Sequence, residues 1–232
     1  MSKAHTVVTA LLSTAVLLVP RAHAQETTRI VITPYAGIFV PSARIAETPV
    51  DVGGELVLAG IRQQTSIASG LTAGYSFNNF AGLEVSGAWA FSEATGSTTL
   101  AEAAPGLSFP RHGSAHVVMG AVKLMINLLP LTDRAALRLG LGPAVISRGG
   151  SAFTANNAGE FGGLTDVGGA ISLCSRLPLT DFLAIRLRAE NYLYTSNLTF
   201  RANSQPTGTF RFASQRQNDF MFSAGLQMVW WR

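Results

Sequence analysis

Charged side chains recur at every second position within otherwise apolar stretches of this sequence. In one such stretch, Arg186, Arg188 and Glu190 alternate with Ile185 and Leu187. Successive side chains of a strand point to opposite faces, so this spacing predicts strands that are charged on one face and apolar on the other. Charges removed from water must be paired, which makes these residues an ion-pair network, either structural or a gate. The candidates are Glu84, Lys123, Arg138, Asp166, Arg176, Arg186, Arg188 and Glu190.

Few other residues have the type and spacing that chemistry requires. The sequence has no Gly-x-Ser-x-Gly motif, phosphate-binding loop or paired-cysteine motif. Cys174 is the single cysteine, which excludes an internal disulfide and a cysteine zinc cage. His112 and His116 would stand about 13 Å apart on a strand, too far to share a metal. His112-Gly-Ser114 is a His-x-Ser pair with Glu102 as the nearest acid, and only geometry could make it catalytic. We therefore expect no catalytic site, no metal and no cofactor.

The N-terminus has the pattern of a secretory signal. Lys3 precedes a nearly unbroken apolar run from Val7 to Val19, and the small-x-small triplet Ala22-His23-Ala24 follows. This run is shorter than the roughly 18 apolar residues that a membrane-spanning helix needs. We predict that residues 1–24 are a signal peptide and that residues 25–232 form one domain.

The composition is unusual for a domain dissolved in water. Only 13% of the residues are charged, whereas soluble domains have about 25%. No cluster of Lys and Arg with interleaved aromatics occurs, so nothing points to a nucleic-acid partner. Such a chain is either very well buried or surrounded by something other than water.

Period-two alternation, with Gly, Asn, Pro and Asp between the segments, predicts eight strands. The first is apolar on both faces, so the sequence leaves its inward face open. Short and long links alternate strictly between the strands. The short links are 78–79, 129–134 and 178–181, and the long ones are about 41–65, 93–113, 147–163 and 196–217. The predicted strands are 29–40, 67–77, 82–91, 115–126, 135–146, 164–177, 182–194 and 219–230.

This pattern predicts an antiparallel meander with short turns at one rim and long loops at the other. Bacterial outer-membrane barrels have this asymmetry, with short periplasmic turns and long extracellular loops. The charges lie among Gly, Ala and Ser, which suits a crowded interior, whereas a soluble barrel would have its apolar face inside. The apolar face has aromatic residues near its ends, as expected at the two interfaces of a bilayer. These interface aromatics are Tyr75, Phe77, Trp89, Phe91, Phe220, Phe222 and Trp230.

Four segments carry a resemblance to a known family. They are Thr33-Pro-Tyr-Ala-Gly37, Gly82-Leu-Glu84, the stretch from Leu183-Ala-Ile-Arg186 through Tyr192, and Asp219-Phe-Met-Phe-Ser-Ala-Gly-Leu226. With them the mature chain resembles the small outer-membrane β-barrels of the outer membrane protein A/X type. The last strand is also similar to the C-terminal signal that the barrel-assembly machinery reads, although the chain continues to Trp231 and Arg232.

The resemblance implies an all-β, eight-stranded antiparallel up-and-down transmembrane barrel with both termini in the periplasm. We expect a monomer with a structural or surface-interaction role, whose partners are outer-membrane lipid, lipopolysaccharide and the barrel-assembly machinery. Loop arginines such as Arg211 and Arg216 could pair with lipopolysaccharide phosphates. One alternative is a narrow channel gated by lumen ion pairs, although eight strands leave an interior just wide enough for side chains. Eight-stranded lipid A deacylases use a His-x-Ser pair with a Glu, which makes His112 and Ser114 an enzyme alternative.

Overall fold

The computed structural model describes residues 29–42, 44–52, 55–78, 80–96, 113–128, 136–153, 159–202 and 209–231. The predicted signal peptide and its cleavage site lie outside these residues. Within the described ranges, no helix is long and apolar enough to cross a membrane. The strands are β1 (Arg29–Val40), β2 (Arg44–Val52), β3 (Glu55–Gln63), β4 (Ser66–Ser76), β5 (Ala81–Phe91), β6 (Glu93–Gly96), β7 (Gly113–Ser114), β8 (His116–Asn127), β9 (Ala136–Gly149), β10 (Gly159–Gly162), β11 (Thr165–Pro178), β12 (Leu183–Ser196), β13 (Thr199–Ala202), β14 (Thr209–Arg211) and β15 (Gln215–Trp231).

Eight long strands form one closed barrel, in the order β1, β4, β5, β8, β9, β11, β12 and β15. Each strand pairs antiparallel with its neighbours, and β15 pairs back with β1 to close the sheet. Strands that follow one another among these eight along the chain are also neighbours in the barrel. The structure therefore confirms the predicted eight-stranded antiparallel up-and-down barrel.

The register around the barrel fixes its dimensions. A circuit of paired residues that starts at Ser76 of β4 returns to β4 at Ser66, an offset of 76 − 66 = 10 residues. With strands about 4.8 Å apart and a rise of about 3.3 Å per residue, this offset gives a strand tilt of about 41° and a backbone radius of about 8 Å. Such an interior holds side chains and little else. The circuit runs through Gly82, Met125, Gly140, Ser172, Glu190, Met221 and Phe39.

The structure assigns the faces of β1, which the sequence left open. Ile30 and Ile38 point outward and are 44% and 52% exposed. Apolar residues fit both faces of β1 because the outer surface is apolar along the whole barrel and part of the interior is apolar as well. The residues of β1 that face the lumen are Val31, Thr33, Tyr35 and Phe39.

Two small sheets extend the barrel beyond the rim of the long links, and we call them together the head. One contains β2, β3, β6 and β7, and the other contains β10, β13 and β14. The prediction of long links without strands was therefore wrong, because most of these strands are too short to show an alternation. The two sheets share a cluster of buried apolar residues, Ile45, Ala46, Ile61, Ala94, Ala115, Ala152, Phe153, Phe161 and Leu198.

Two prolines interrupt the hydrogen-bonded ladder of the barrel wall. Between β8 and β9 the pairing passes from Ala121 with Ala144 directly to Leu124 with Leu141, and Pro143 lies in the gap. Pro34 lies in a similar gap between β1 and β15. Proline has no N–H to donate, which explains both interruptions.

Candidate functional site: the barrel lumen

A network of buried charges crosses the half of the lumen nearer the short turns. Glu84 on β5 contacts Lys123 on the adjacent β8, at 3.2 Å between Oε1 and Nζ. Its Oε2 also lies 2.5 Å from Nη2 of Arg186 on β12, which stands on the opposite side of the barrel. Glu190 pairs with the same lysine and, at 3.2 Å, with Nη1 of Arg188. The five side chains are at most 5% exposed, so each charge depends on the others for compensation.

Two further predicted members border this network on the side of the short turns. Arg138 donates from Nε to Oδ1 of Asn127 at 2.6 Å and from Nη2 to Oγ of Ser76 at 3.0 Å. Arg176 is partly buried and stands directly opposite Arg186 across the β11–β12 ladder.

A layer of apolar and aromatic side chains fills the lumen beyond the charge network. Its members include Tyr35, Phe39, Met119, Tyr192 and Met221, each at most 7% exposed. The hydroxyl of Tyr35 donates to the backbone carbonyl of Gly87 at 3.0 Å. The ring of Tyr35 also meets the guanidinium of Arg188, 4.9 Å from its centroid, which links the layer to the charges below. The inner-face pattern of charges set among Gly, Ala and Ser did not predict this layer.

A second polar cluster closes the lumen at the head. Nη1 of Arg148 lies 2.7 Å from Oδ2 of Asp166, and its Nη2 donates to the hydroxyl of Tyr194. That hydroxyl donates in turn to Asp219, whose Oδ1 accepts a hydrogen bond from the backbone N–H of Ser42 at 3.1 Å. The cluster therefore ties the chain that enters the head to the barrel rim.

This arrangement also corrects the prediction of a single network. Asp166 belongs to the head-side cluster and is separated from the other predicted charges by the apolar layer. The sequence analysis missed Arg148, Tyr194 and Asp219 as members. Arg148 shares the strand parity of Arg138, so extending the predicted strand beyond residue 146 would have placed it in the lumen.

Most of the predicted interface aromatics point outward. Trp89 and Phe91 stack near the head end of β5, and the ring of His116 lies 5.3 Å from that of Trp89. Tyr75 points outward near the opposite rim, and Phe77 is half-buried in the following turn with its ring edge-on to that of Tyr75. Phe220 and Phe222 stack on the outside of β15. The side chain of Trp230 lies outside what the structure describes.

Ser114, the nucleophile of the enzyme alternative, contacts a second serine in the structure. Its Oγ lies 3.0 Å from Oγ of Ser151 and accepts a hydrogen bond from the backbone N–H of that residue. His112 and Glu102 lie outside the described residues, so Ser114 is the one member of the predicted His-x-Ser pair whose position the structure gives. Over the part of the chain that the structure covers, no group of His, Cys, Asp or Glu could hold a metal ion.

The closed barrel, its apolar outer face and its filled lumen define the fold of the small bacterial outer-membrane β-barrels. The chain is similar to outer membrane protein OprG from Pseudomonas aeruginosa, with a TM-score of 0.66 and 11% identity over 88% of this chain and 97% of that one. It is also similar to outer membrane protein AlkL, solved in lipid bilayers, with a TM-score of 0.62 and 11% identity over 92% of this chain and 95% of that one. Both likenesses are likenesses of fold, and the outer membrane protein A/X type stays a prediction. No family model and no curated protein sequence matches the chain.

Proposed function

We propose that this protein is an integral outer-membrane barrel with a closed lumen, which holds the head at the cell surface for a structural or binding role. The observation that carries the proposal is the filling of the lumen. Lys123, Glu84 and Glu190 are at most 1% exposed in one layer, as are Phe39 and Met221 in the next. Inside a wall of about 8 Å radius, such layers leave no water-filled path.

The outer face supports placement in a membrane. Large apolar side chains cover the barrel wall, and Leu71, Leu141 and Leu187 are 52%, 45% and 46% exposed. Surfaces of this size and polarity are unstable in water, and aromatic residues near both rims suit the two interfaces of a bilayer. The partner of this face is outer-membrane lipid.

Arginine at the rim of the head supports a role for lipopolysaccharide as a second partner. Arg216 is exposed on β15 at this rim, where a guanidinium can donate two hydrogen bonds to one phosphate. Binding of the purified protein to lipopolysaccharide should weaken in Arg216→Gln. Unchanged binding would remove this partner from the proposal.

Planar-bilayer recording tests the closed lumen. Insertion of the purified mature protein should give no current above that of the bare bilayer, in several salts and at both polarities. The double variant Phe39→Ala/Met221→Ala truncates the two buried side chains of the apolar layer and serves as the comparison. Stable single-channel steps from the unmodified protein would favour the channel alternative.

A second candidate function rests on the interruption at Pro143. This gap in the β8–β9 ladder lies at mid-height of the wall, and the interior residues above it are apolar up to the head-side cluster. A small apolar solute could pass from the head to the bilayer through such a gap without crossing the charge network. A methyl group on Gly142 would collide with the carbonyl of Val122, so the two strands are in contact here and a solute passes only when they move apart.

Uptake of a small apolar fluorophore into proteoliposomes separates the two candidates. The substitution Pro143→Val restores an N–H at the gap, and it should abolish uptake if this route operates. Pro34→Val is the matched control, because its gap lies between other strands. Uptake equal to that of protein-free vesicles would leave the first proposal, a barrel with a closed lumen that holds the head at the cell surface.

A further inference from the structure

The half of the lumen nearer the short turns contains more positive than negative charge. The head-side acids Asp166 and Asp219 cannot balance it, because they lie beyond the apolar layer and are engaged by Arg148 and Tyr194. Among the described residues, Lys123, Arg138, Arg186 and Arg188 face the two carboxylates Glu84 and Glu190, an excess of two positive charges, and Arg176 lies beside them.

Three of the basic side chains lie side by side. Arg176 and Arg186 stand directly opposite each other on β11 and β12, an arrangement that destabilises a sheet when the charges are alike. Arg138 is the neighbour on β9, paired with Cys174, whose Sγ accepts a hydrogen bond from Nη2 of Arg186 at 3.1 Å. The two hydrogen-bond acceptors of Arg138, Asn127 and Ser76, are neutral.

A buried donor in this group points to an absent acceptor. Arg186 is 3% exposed, and Nη1 of its guanidinium has no hydrogen-bond partner among the residues that the structure describes. Leaving such a donor without a partner destabilises the folded protein, and more so when the group is charged. A protein stable in this form therefore gains from an additional negative group at this position.

We propose that Arg138, Arg176 and Arg186 form a binding site for a tetrahedral oxyanion of the phosphate or sulfate class. Guanidinium forks match the oxygens of such ions and donate two hydrogen bonds to each. A doubly charged ion balances the excess of two positive charges. The carboxylate of Glu84 and the thiol of Cys174 border the site through Arg186.

The ion enters from the periplasmic end of the barrel. All three arginines lie within four residues of the strand ends at the rim of the short turns, and Arg176 is partly exposed there. The ion is free in the periplasm rather than part of a lipid, because these side chains face the lumen and lipid headgroups lie outside the wall. This site goes beyond the proposed function and does not depend on it.

Calorimetric titration of the folded, purified mature protein with inorganic phosphate, and separately with sulfate, tests the site. Gluconate keeps the ionic strength constant. Saturable binding of one ion per protein is expected, weakened at least tenfold in Arg176→Gln and less in Arg176→Lys, which keeps the charge. Arg62→Gln is the matched control, since it removes an exposed arginine of the head, and the affinity of this variant should stay within twofold. Absence of saturable binding, or equal weakening in the control, overturns the proposal.

A second measurement separates binding from a merely structural role. The urea midpoints of Arg176→Gln and of the unmodified protein in gluconate alone give the reference for each protein. Phosphate should raise the midpoint of the unmodified protein and leave that of the variant unchanged. No response of the unmodified protein to phosphate, or an equal response of the variant, contradicts the site. Crystals soaked in selenate locate the ion without any variant, and an anomalous peak elsewhere also contradicts it.

Discussion

Replacing Glu84 by Gln should cost the barrel more stability than almost any other isosteric change. Glu84 is the carboxylate on which three cations converge, with Nζ of Lys123 at 3.2 Å, Nη2 of Arg186 at 2.5 Å and Nη2 of Arg188 at 3.7 Å. Lys123 and Arg188 retain Glu190 after the change. Within the described residues, Arg186 loses its one salt bridge and remains a buried charge without a counterion.

The expected loss follows from that orphaned charge. Removing one partner of a buried ion pair costs about 3–5 kcal/mol, which corresponds to an increase of roughly 150- to 5,000-fold in the unfolding equilibrium constant. Glutamine has nearly the shape of glutamate, so no cavity contributes to this loss. The excess positive charge near the short turns also rises. The loss of stability should therefore be larger in gluconate than in phosphate, because phosphate can bind the proposed arginine site and offset part of that charge.

Urea unfolding in lipid vesicles, followed by the gel mobility of unheated samples, measures the effect. Glu93→Gln is the matched control, because Glu93 is exposed at the start of β6. A surface change of this kind stays within about 0.5 kcal/mol. A loss below about 1 kcal/mol for Glu84→Gln, similar to the control, would refute the reasoning that the lumen charges are desolvated and mutually dependent.

Three further predictions concern the wall, the apolar layer and the rim. Gly142→Ala should lower the free energy of unfolding by about 2 kcal/mol or more, because its methyl group meets the carbonyl of Val122. Gly87→Ala, which meets nothing within 4 Å, should be tolerated in the same urea titration. Phe39→Ala should cost about 3–5 kcal/mol, since the ring is wholly buried. Ser114→Ala should leave the mass spectrum of lipid A unchanged in cells, and a change in acylation would support the enzyme alternative.

The period-two alternation predicted much of the barrel. It gave eight strands within a few residues of their observed ends and placed Glu84, Lys123 and Glu190 on the inner face, because that face differs sharply in polarity from the outer one. The alternation also indicates that Tyr192 faces the lumen, since Tyr192 lies two residues after Glu190 on the same face of β12. An aromatic ring suits either face of a membrane barrel, so its type alone was not decisive.

Other features depend on contacts between distant segments, which a periodicity does not contain. Arg148 and Asp219 meet only because the register of four barrel strands brings Tyr194 between them. The sequence did not determine which face of β1 points inward, because β1 borders both the outer surface and the apolar layer and is apolar toward each. The strands β10 and β13 of the head were missed because each has only four residues.

Reactivity of Cys174 tests the filled lumen most directly. This thiol is the single cysteine of the chain, faces the lumen and is 1% exposed. A thiol reagent much larger than phosphate should leave it unmodified in the folded barrel and modify it completely after unfolding in urea. Ser114→Cys in a Cys174→Ser background is the control for an exposed position, and it should react rapidly in the folded state. Rapid modification of Cys174 in the folded barrel would show that solutes much larger than an inorganic anion reach the lumen, and would contradict the filled barrel.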